Sequence, residues 1–263
     1  IKVLRQAGSR APVWAVVDGA ETLSKLLAAG AGSAVEAILY RYSWPGPSEL
    51  GAVRDTLWRA GHEGLPIYVH FQHPHSAQSG VGPALERDLL SCYANGVEQT
   101  LLDAGLVYES TFAPGYCHLA ALAQRMRNAS FVGPLEAEDA YFLVFTQHEG
   151  WLVAGWADTA HTVQIEIESA DDLELFDGRN NPLEVPPVAE GLLTLTVGPE
   201  PVFLTGRAGP VLAQAAQTAA RREAELLTKH AAFDVLPGDI ADMVKKLASG
   251  GAFSRLQFFN LLK

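Results

Sequence analysis

Over the first 125 residues, short apolar runs alternate with stretches of helical period. Pro12-Val13-Trp14-Ala15-Val16-Val17 reads as a buried strand stopped by Asp18-Gly19. Glu21 to Ala29 then reads as a helix closed by Gly30, the residue that most easily takes the left-handed backbone at a helix end. A second strand, Val35 to Tyr40, gives way to the loop Trp44-Pro45-Gly46-Pro47, and Ser48 is placed to cap a helix running to about Ala60. Pro66 to Phe71 is a third strand followed by a long polar loop. A helix over about Pro83 to Ala94 leads into a fourth strand, Gly96 to Leu102. Strands alternating with helices at this spacing predict βα units and a parallel sheet, and four such units are visible.

The period then changes. Tyr141–Thr146, Trp151–Trp156, Val163–Ile167, Leu173–Phe176, Leu192–Val197 and Val202–Leu204 read as short strands separated by Gly, Asp, Asn and Pro. Asp177-Gly178 and Asn180-Asn181 are strong turn signals, so this region predicts an antiparallel β-sandwich. From Pro210 the chain turns Ala/Glu/Arg-rich and helical: one helix from Val211 to about Ala231, a second after Pro237-Gly238, and a short apolar one after Gly250-Gly251. The predicted organisation is residues 1–127 as βα units, 128–208 as a sandwich and 209–263 as a helical tail.

Composition narrows the classes. Hydrophobic residues make up 48% and charged residues 19%, a balance that supports packed cores rather than disorder. With 30 acidic against 19 basic residues and a net charge of −11, the chain repels a polyanion on average, and no long basic cluster offers a nucleic acid a footprint. Cys92 and Cys117 are too few for a disulfide scaffold or a Cys-based zinc site, and are read as two buried thiols or one bridge. No apolar run reaches the ~18 residues of a membrane span. The chain opens at Ile1 without methionine, signal peptide or leader, which predicts a processed chain or part of a longer one.

Several segments together resemble a known family. Leu27 to Ala31, Val35 to Tyr42, Pro47-Ser48-Glu49 and Gly64 to Val69 are similar to strands six and seven of retaining glycoside-hydrolase (β/α)₈ barrels with two catalytic glutamates. Gly96-Val97 resembles the start of strand eight, and Pro114-Gly115-Tyr116 the opening of the last barrel helix. Phe176-Asp177-Gly178-Arg179-Asn180 resembles a turn of the family's C-terminal β-sandwich, and Glu200 to Gly206 its closing strand. The similarity covers about residues 10–206. It implies the C-terminal half of a barrel plus its sandwich, with the other half supplied by upstream sequence or by a partner chain. It also implies action on carbohydrate and a site outside the cytoplasm.

At the chemistry the likeness breaks. The family's nucleophilic glutamate ends strand seven, where this chain places Phe71 or, shifted by one, Gln72. Neither side chain can attack an anomeric carbon, a step that needs a carboxylate about 5 Å from an acid carboxyl. The resemblance puts the acid/base glutamate on a strand upstream of Ile1, and the expected His-x-Tyr of strand six reads Tyr40-Arg41-Tyr42. The reading is therefore a catalytically degenerate glycoside-hydrolase-like protein acting as a binding or assembly component. The alternatives are an active hydrolase whose carboxylates lie upstream or are relocated among Asp18, Glu98 and Asp103, and a non-catalytic carbohydrate-binding protein.

Tyr40, Arg41, Tyr42, Trp44, His70, Gln72 and His73 are the ligand-binding candidates at the rim, since aromatic faces stack on sugar rings and Arg hydrogen-bonds hydroxyls. The bland reading packs the aromatics into the barrel mouth. His70, His73 and His75, with His62 nearby, match no zinc spacing, so no metal is expected, and no Gly-rich phosphate loop indicates a nucleotide cofactor. Asn128-Ala129-Ser130 fits a glycosylation acceptor. Ser76 and Ser79 lack the context of a serine nucleophile. In the tail, Phe253, Leu256, Phe259 and Leu262 form an apolar face flanked by Lys245, Lys246, Arg255 and Lys263. Such a face predicts a protein partner, self-packing or, less favoured, a membrane surface.

Overall fold

In the computed structural model of the chain, residues 12–43, 48–72, 81–102, 107–108, 111–112, 114–147, 150–207, 209–228, 241–242 and 244–245 are described. They fall into two compact units: one of residues 1–81 and 91–113, the other of residues 82–90 and 114–263.

The first unit is built on a four-stranded parallel sheet in the order β1 (Trp14–Val17), β2 (Ala37–Ser43), β3 (Ile67–Gln72), β4 (Gln99–Leu102). Helices α1 (Ala20–Ala28) and α2 (Leu50–Arg59) connect the first three strands. Gly30 takes φ 83° after α1, the backbone that the sequence predicted there. Strand β2 runs further than the sequence indicated. It stays paired with β3 through Ser43↔Gln72, so Tyr40-Arg41-Tyr42 alternates across the sheet instead of leaving it. One face is buried and carries Ala15, Val17, Ile38, Tyr40, Tyr42, Ile67, Val69 and Phe71, while Leu23 of α1 and Leu50, Val53 and Leu57 of α2 are buried with them. The other face carries Trp14, 41% exposed and edge-on to Tyr68 at 4.9 Å, with Arg41, His70 and Gln72 further along. Helix α3 (Val81–Ala94) precedes β4, and a two-stranded hairpin of β5 (Val107–Tyr108) and β6 (Thr111–Phe112), absent from the sequence reading, follows it.

The second unit begins with residues 82–90 of α3 and with α4 (Pro114–Arg125). Two antiparallel sheets follow. The larger has the order β12 (Pro182–Leu183), β11 (Glu174–Asp177), β15 (Val202–Gly206), β9 (Gly150–Trp156), β8 (Tyr141–Gln147), β7 (Ala129–Leu135). The smaller has β10 (His161–Glu166), β14 (Leu192–Val197) and β13 (Val188–Ala189). They enclose one core, with Phe142, Val144, Trp151, Val153 and Leu204 from one sheet and Val163, Ile165, Leu193, Leu195 and Val197 from the other. Strand β9 is buried along nearly its whole length, because both faces of its sheet are covered.

Helix α5 (Val211–Thr228) closes one side of this unit. Its buried positions Ala215, Ala219, Ala220 and Ala224 are small, so its backbone comes close to β7. The approach needs a glycine: a methyl group on Gly133 would overlap the Ala215 carbonyl oxygen and stand 2.9 Å from the Ala219 methyl. The apolar tail face of Phe253, Leu256, Phe259 and Leu262 lies outside the described residues, as do Trp44, His73, His75, Ser76, Ser79 and Asp103.

Candidate functional site

The C-terminal ends of the parallel strands are where barrel folds of this type place chemistry. Here β1 ends at Asp18, whose two carboxylate oxygens accept from Arg41 Nε (2.9 Å) and a second guanidinium nitrogen (3.2 Å). Glu49, a second described carboxylate at this end, accepts from the Ala20 backbone N–H at 3.0 Å and so caps α1, while Glu21 in the first turn of α1 accepts from Lys25 Nζ at 2.6 Å. The Glu49 N–H donates to the Tyr40 hydroxyl oxygen at 3.0 Å, and Leu50 N donates to Ser48 Oγ at 3.3 Å. Each of the three is engaged with a neighbouring donor.

The candidate rim residues separate onto two faces. Tyr40 (2% exposed) and Tyr42 (4%) are buried and stack at 6.2 Å, with Tyr42 edge-on to the fully buried Phe71 at 5.3 Å, so their rings pack the core. Burial pushes the Tyr40 hydroxyl above its usual pKa, against the N–H of Glu49 and the Ser48 side chain. Arg41, His70 and Gln72 lie together on the opposite face, Arg41 and His70 as register partners. Glu98 stands at the entry of β4, beside Arg54, at the other end of the strand from the rim. His62 lies against Gly32 in the approach to β2, so it does not join His70. Among the described residues no group of three His, Cys, Asp or Glu side chains is placed to hold a metal ion. No disulfide joins the buried Cys92 to the exposed Cys117.

The strongest concentration of buried charge is in the second unit, and sequence reasoning missed it. Glu86 of α3 is 1% exposed and His118 of α4 is 3% exposed, with Glu86 Oε2 3.1 Å from His118 Nδ1. Arg179 Nε donates to His118 Nε2 at 3.2 Å. A donor at Nε2 requires that nitrogen to be bare, so the imidazole proton sits on Nδ1 and is donated to Glu86.

The turn that carries Arg179 is organised by Asp177. Its Oδ1 accepts from the backbone N–H of Arg179 (2.9 Å) and of Asn181 (2.8 Å), and its Oδ2 accepts from Asn181 Nδ2 at 2.7 Å. Asn180 takes φ 72°, which asparagine tolerates, and its side-chain oxygen accepts from Arg125. The Arg125 guanidinium lies 4.2 Å above the Phe176 ring and 5.0 Å from that of Phe203. Gly82 and Gly178 make room for the cluster, since a methyl group on Gly82 would overlap the His118 ring and one on Gly178 would overlap Glu86 Oε2.

Electrostatics follow from this burial. Burial pushes the Glu86 carboxyl up to about 7, although His118 and Arg125 pull the other way. Burial also acts to raise Asp177, but its bonds from Asn181 and Arg179 outweigh that effect and hold its carboxyl below the usual range. A carboxylate–imidazole pair of this kind activates a hydroxyl or thiol elsewhere. Here Nε2, the nitrogen that would do so, is occupied by Arg179. The cluster ties elements together.

A sequence signal existed. Glu86 is at the helical spacing of Leu89 and Leu90, and His118, Ala121, Leu122 and Arg125 repeat at i, i+3, i+4, i+7, all buried. Polar residues standing in an apolar stripe are the mark of a buried network. A further cavity of about 310 Å³ lies between α5 and the strands, lined by Phe142, Val163, Ile165 and Thr218. Its mouth carries an Arg221–Glu136 ion pair and a Gln214–Glu166 hydrogen bond.

Parallel β/α units in a partial barrel, followed by antiparallel sheets and a helix, make this a glycoside-hydrolase-like fold. The chain is similar to a family 39 glycoside hydrolase from the gut symbiont Bacteroides cellulosilyticus, with TM-score 0.57 and 17% identity over 68% of this chain and 46% of that one. It is also similar to a GH30 endoxylanase from Clostridium papyrosolvens, with TM-score 0.56 and 11% identity over 77% of this chain and 58% of that one. The chain thus spans about half the length of the structures it matches. No protein-family model matches the sequence, and no curated protein does.

Proposed function

We propose that this chain belongs to a glycoside-hydrolase-like protein that no longer cleaves glycosides and serves as a binding or assembly component. The observation that carries this reading is the fate of the carboxylates at the C-terminal end of the parallel sheet. Asp18 is paired with Arg41, Glu21 with Lys25, and Glu49 caps α1, while β3 ends His70-Phe71-Gln72, with Phe71 buried and Gln72 on the opposite face at the two positions where the resemblance expects a nucleophile. Hydrolysis with retention needs two carboxyl groups about 5 Å apart, one free to attack and one to carry a proton. A carboxylate held by a guanidinium, or by the end of a helix, is stabilised in its ionised form at that place.

In this reading the polar strip of Arg41, His70 and Gln72 is what remains for hydroxyl-rich ligands. The partner contact is assigned to the C-terminal apolar face of Phe253, Leu256, Phe259 and Leu262. Purified protein assayed against aryl glycosides and polysaccharides is expected to give no turnover above background. Turnover that disappears in Asp18→Asn or Glu49→Gln overturns the reading. Deletion of residues 250–263 is expected to abolish co-purification of a stoichiometric partner, and a partner retained by the shortened chain removes the tail from the proposal.

A further inference from the structure

We propose that the Glu86–His118–Arg179 chain is a proton-sensitive lock: with Glu86 neutral it holds α3 and α4 to the turn after β11, and loss of that proton loosens the turn. The case starts from donors and acceptors. Glu86 Oε2 receives one N–H, from His118, while Glu86 Oε1 is buried and meets no hydrogen-bonding group among the described residues. A carboxylate in that setting lacks the several donors that stabilise a buried anion, whereas a neutral carboxyl leaves much less unmet.

The imidazole cannot relieve this by taking a second proton without losing a bond. Arg179 already donates to Nε2, and a proton there would set two donors against each other. The charged groups facing Glu86 from the packed elements are Arg125 on α4 and Asp177 at the end of β11, with Arg179 beyond His118. Arg125 favours the anion and Asp177 opposes it. Arg125 is itself held over two aromatic rings and bonded to Asn180, and its buried Nε has no acceptor among the described residues. An ionised Glu86 is therefore drawn toward Arg125, and any shift of Arg125 strains its bond to the turn through Asn180. Gly178 makes the coupling tight, since its α-carbon packs against the Glu86 carboxyl and the imidazole together.

Burial pushes Glu86 up to about 7 from an ordinary 4.5, which puts the transition near neutrality. The sign follows from linkage. A group whose folded value is raised contributes stability fully below its unfolded value, and that contribution is lost as pH rises through the folded value. The loss therefore runs between about pH 4.5 and 7 and levels off above that, at higher pH than the range in which Asp177 titrates.

The test is urea unfolding of the full chain at pH 5, 6, 7 and 8, for the wild type and for Glu86→Gln, which keeps an oxygen for the His118 N–H and cannot ionise. Across that span the wild-type folding equilibrium should fall relative to the variant by on the order of fiftyfold. Parallel profiles overturn the proposal. If Glu86→Gln fails to fold, the side-chain carbon of Glu86 in isotope-labelled wild-type protein decides. A midpoint near neutrality supports the lock, and a midpoint in the ordinary carboxylate range refutes it.

Discussion

At the residue scale, function and stability turn on where polar atoms find partners. Asp18 and Glu49 are each spent on a donor, and Glu86 and His118 are spent on each other and on Arg179. Glycine at 178 is what lets the turn reach that pair. Gly178→Ala should therefore lower the stability of the second unit by about 2–4 kcal/mol, because the added methyl must displace a buried carboxyl and an imidazole at once. Gly198→Ala, with nothing within 4 Å of the added carbon, should change stability by less than about 0.5 kcal/mol. Equal losses in chemical denaturation of the two variants would show that the close packing at 178 is not what matters.

At the scale of elements, spacing alone brought out most of the architecture. The runs around Trp14–Val17, Ile67–Phe71 and Val202–Leu204 are short, apolar and bounded by turn residues, so each could be placed as a strand from the sequence. The end of β2 could not. Its last residues are polar and aromatic in alternation, and only pairing with β3 keeps them extended. The hairpin of β5 and β6 offers two residues per strand, too few for a period to register. Helix α5 was legible as a helix from its Ala/Glu/Arg content, but its seat on β7 depends on Gly133 meeting Ala215 across the structure. Gly133→Ala should cost about 1–3 kcal/mol, since the neighbour that must yield is a backbone carbonyl rather than a flexible side chain. A thermal melt unchanged by this substitution would mean that α5 stands further from β7 than described.

At the scale of the whole molecule, charge sets the conditions under which the chain is stable. Two buried or half-buried carboxyls act at opposite ends of the pH range. The lock at Glu86 weakens the fold as pH rises from about 4.5 to neutrality. Asp177 does the reverse: its folded value is depressed, so the stability it contributes is present above about 3.8 and is lost as pH falls through the lower folded value. Asp177→Asn keeps the acceptor for the N–H groups of Arg179 and Asn181 but removes the charge. Its unfolding profile is expected to be flatter than the wild type's below about pH 4, measured at fixed urea. A profile that tracks the wild type's acid limb would shift responsibility to other carboxyls.

What the sequence by itself determined is the order of periods: parallel β/α units, then short antiparallel strands, then helix, together with a turn at Asp177 to Asn181 and the lack of a glutamate at the end of β3. These are local properties, fixed by which side chains alternate and which backbone angles a residue tolerates. Only the tertiary structure decided that Tyr40 and Tyr42 face the core while Arg41 and His70 share the other side. It also decided that Glu86, His118 and Arg179 meet. These three lie far apart in the chain, and a bond between them exists only once α3, α4 and the turn after β11 have packed, because burial and partner choice are made by neighbours in space.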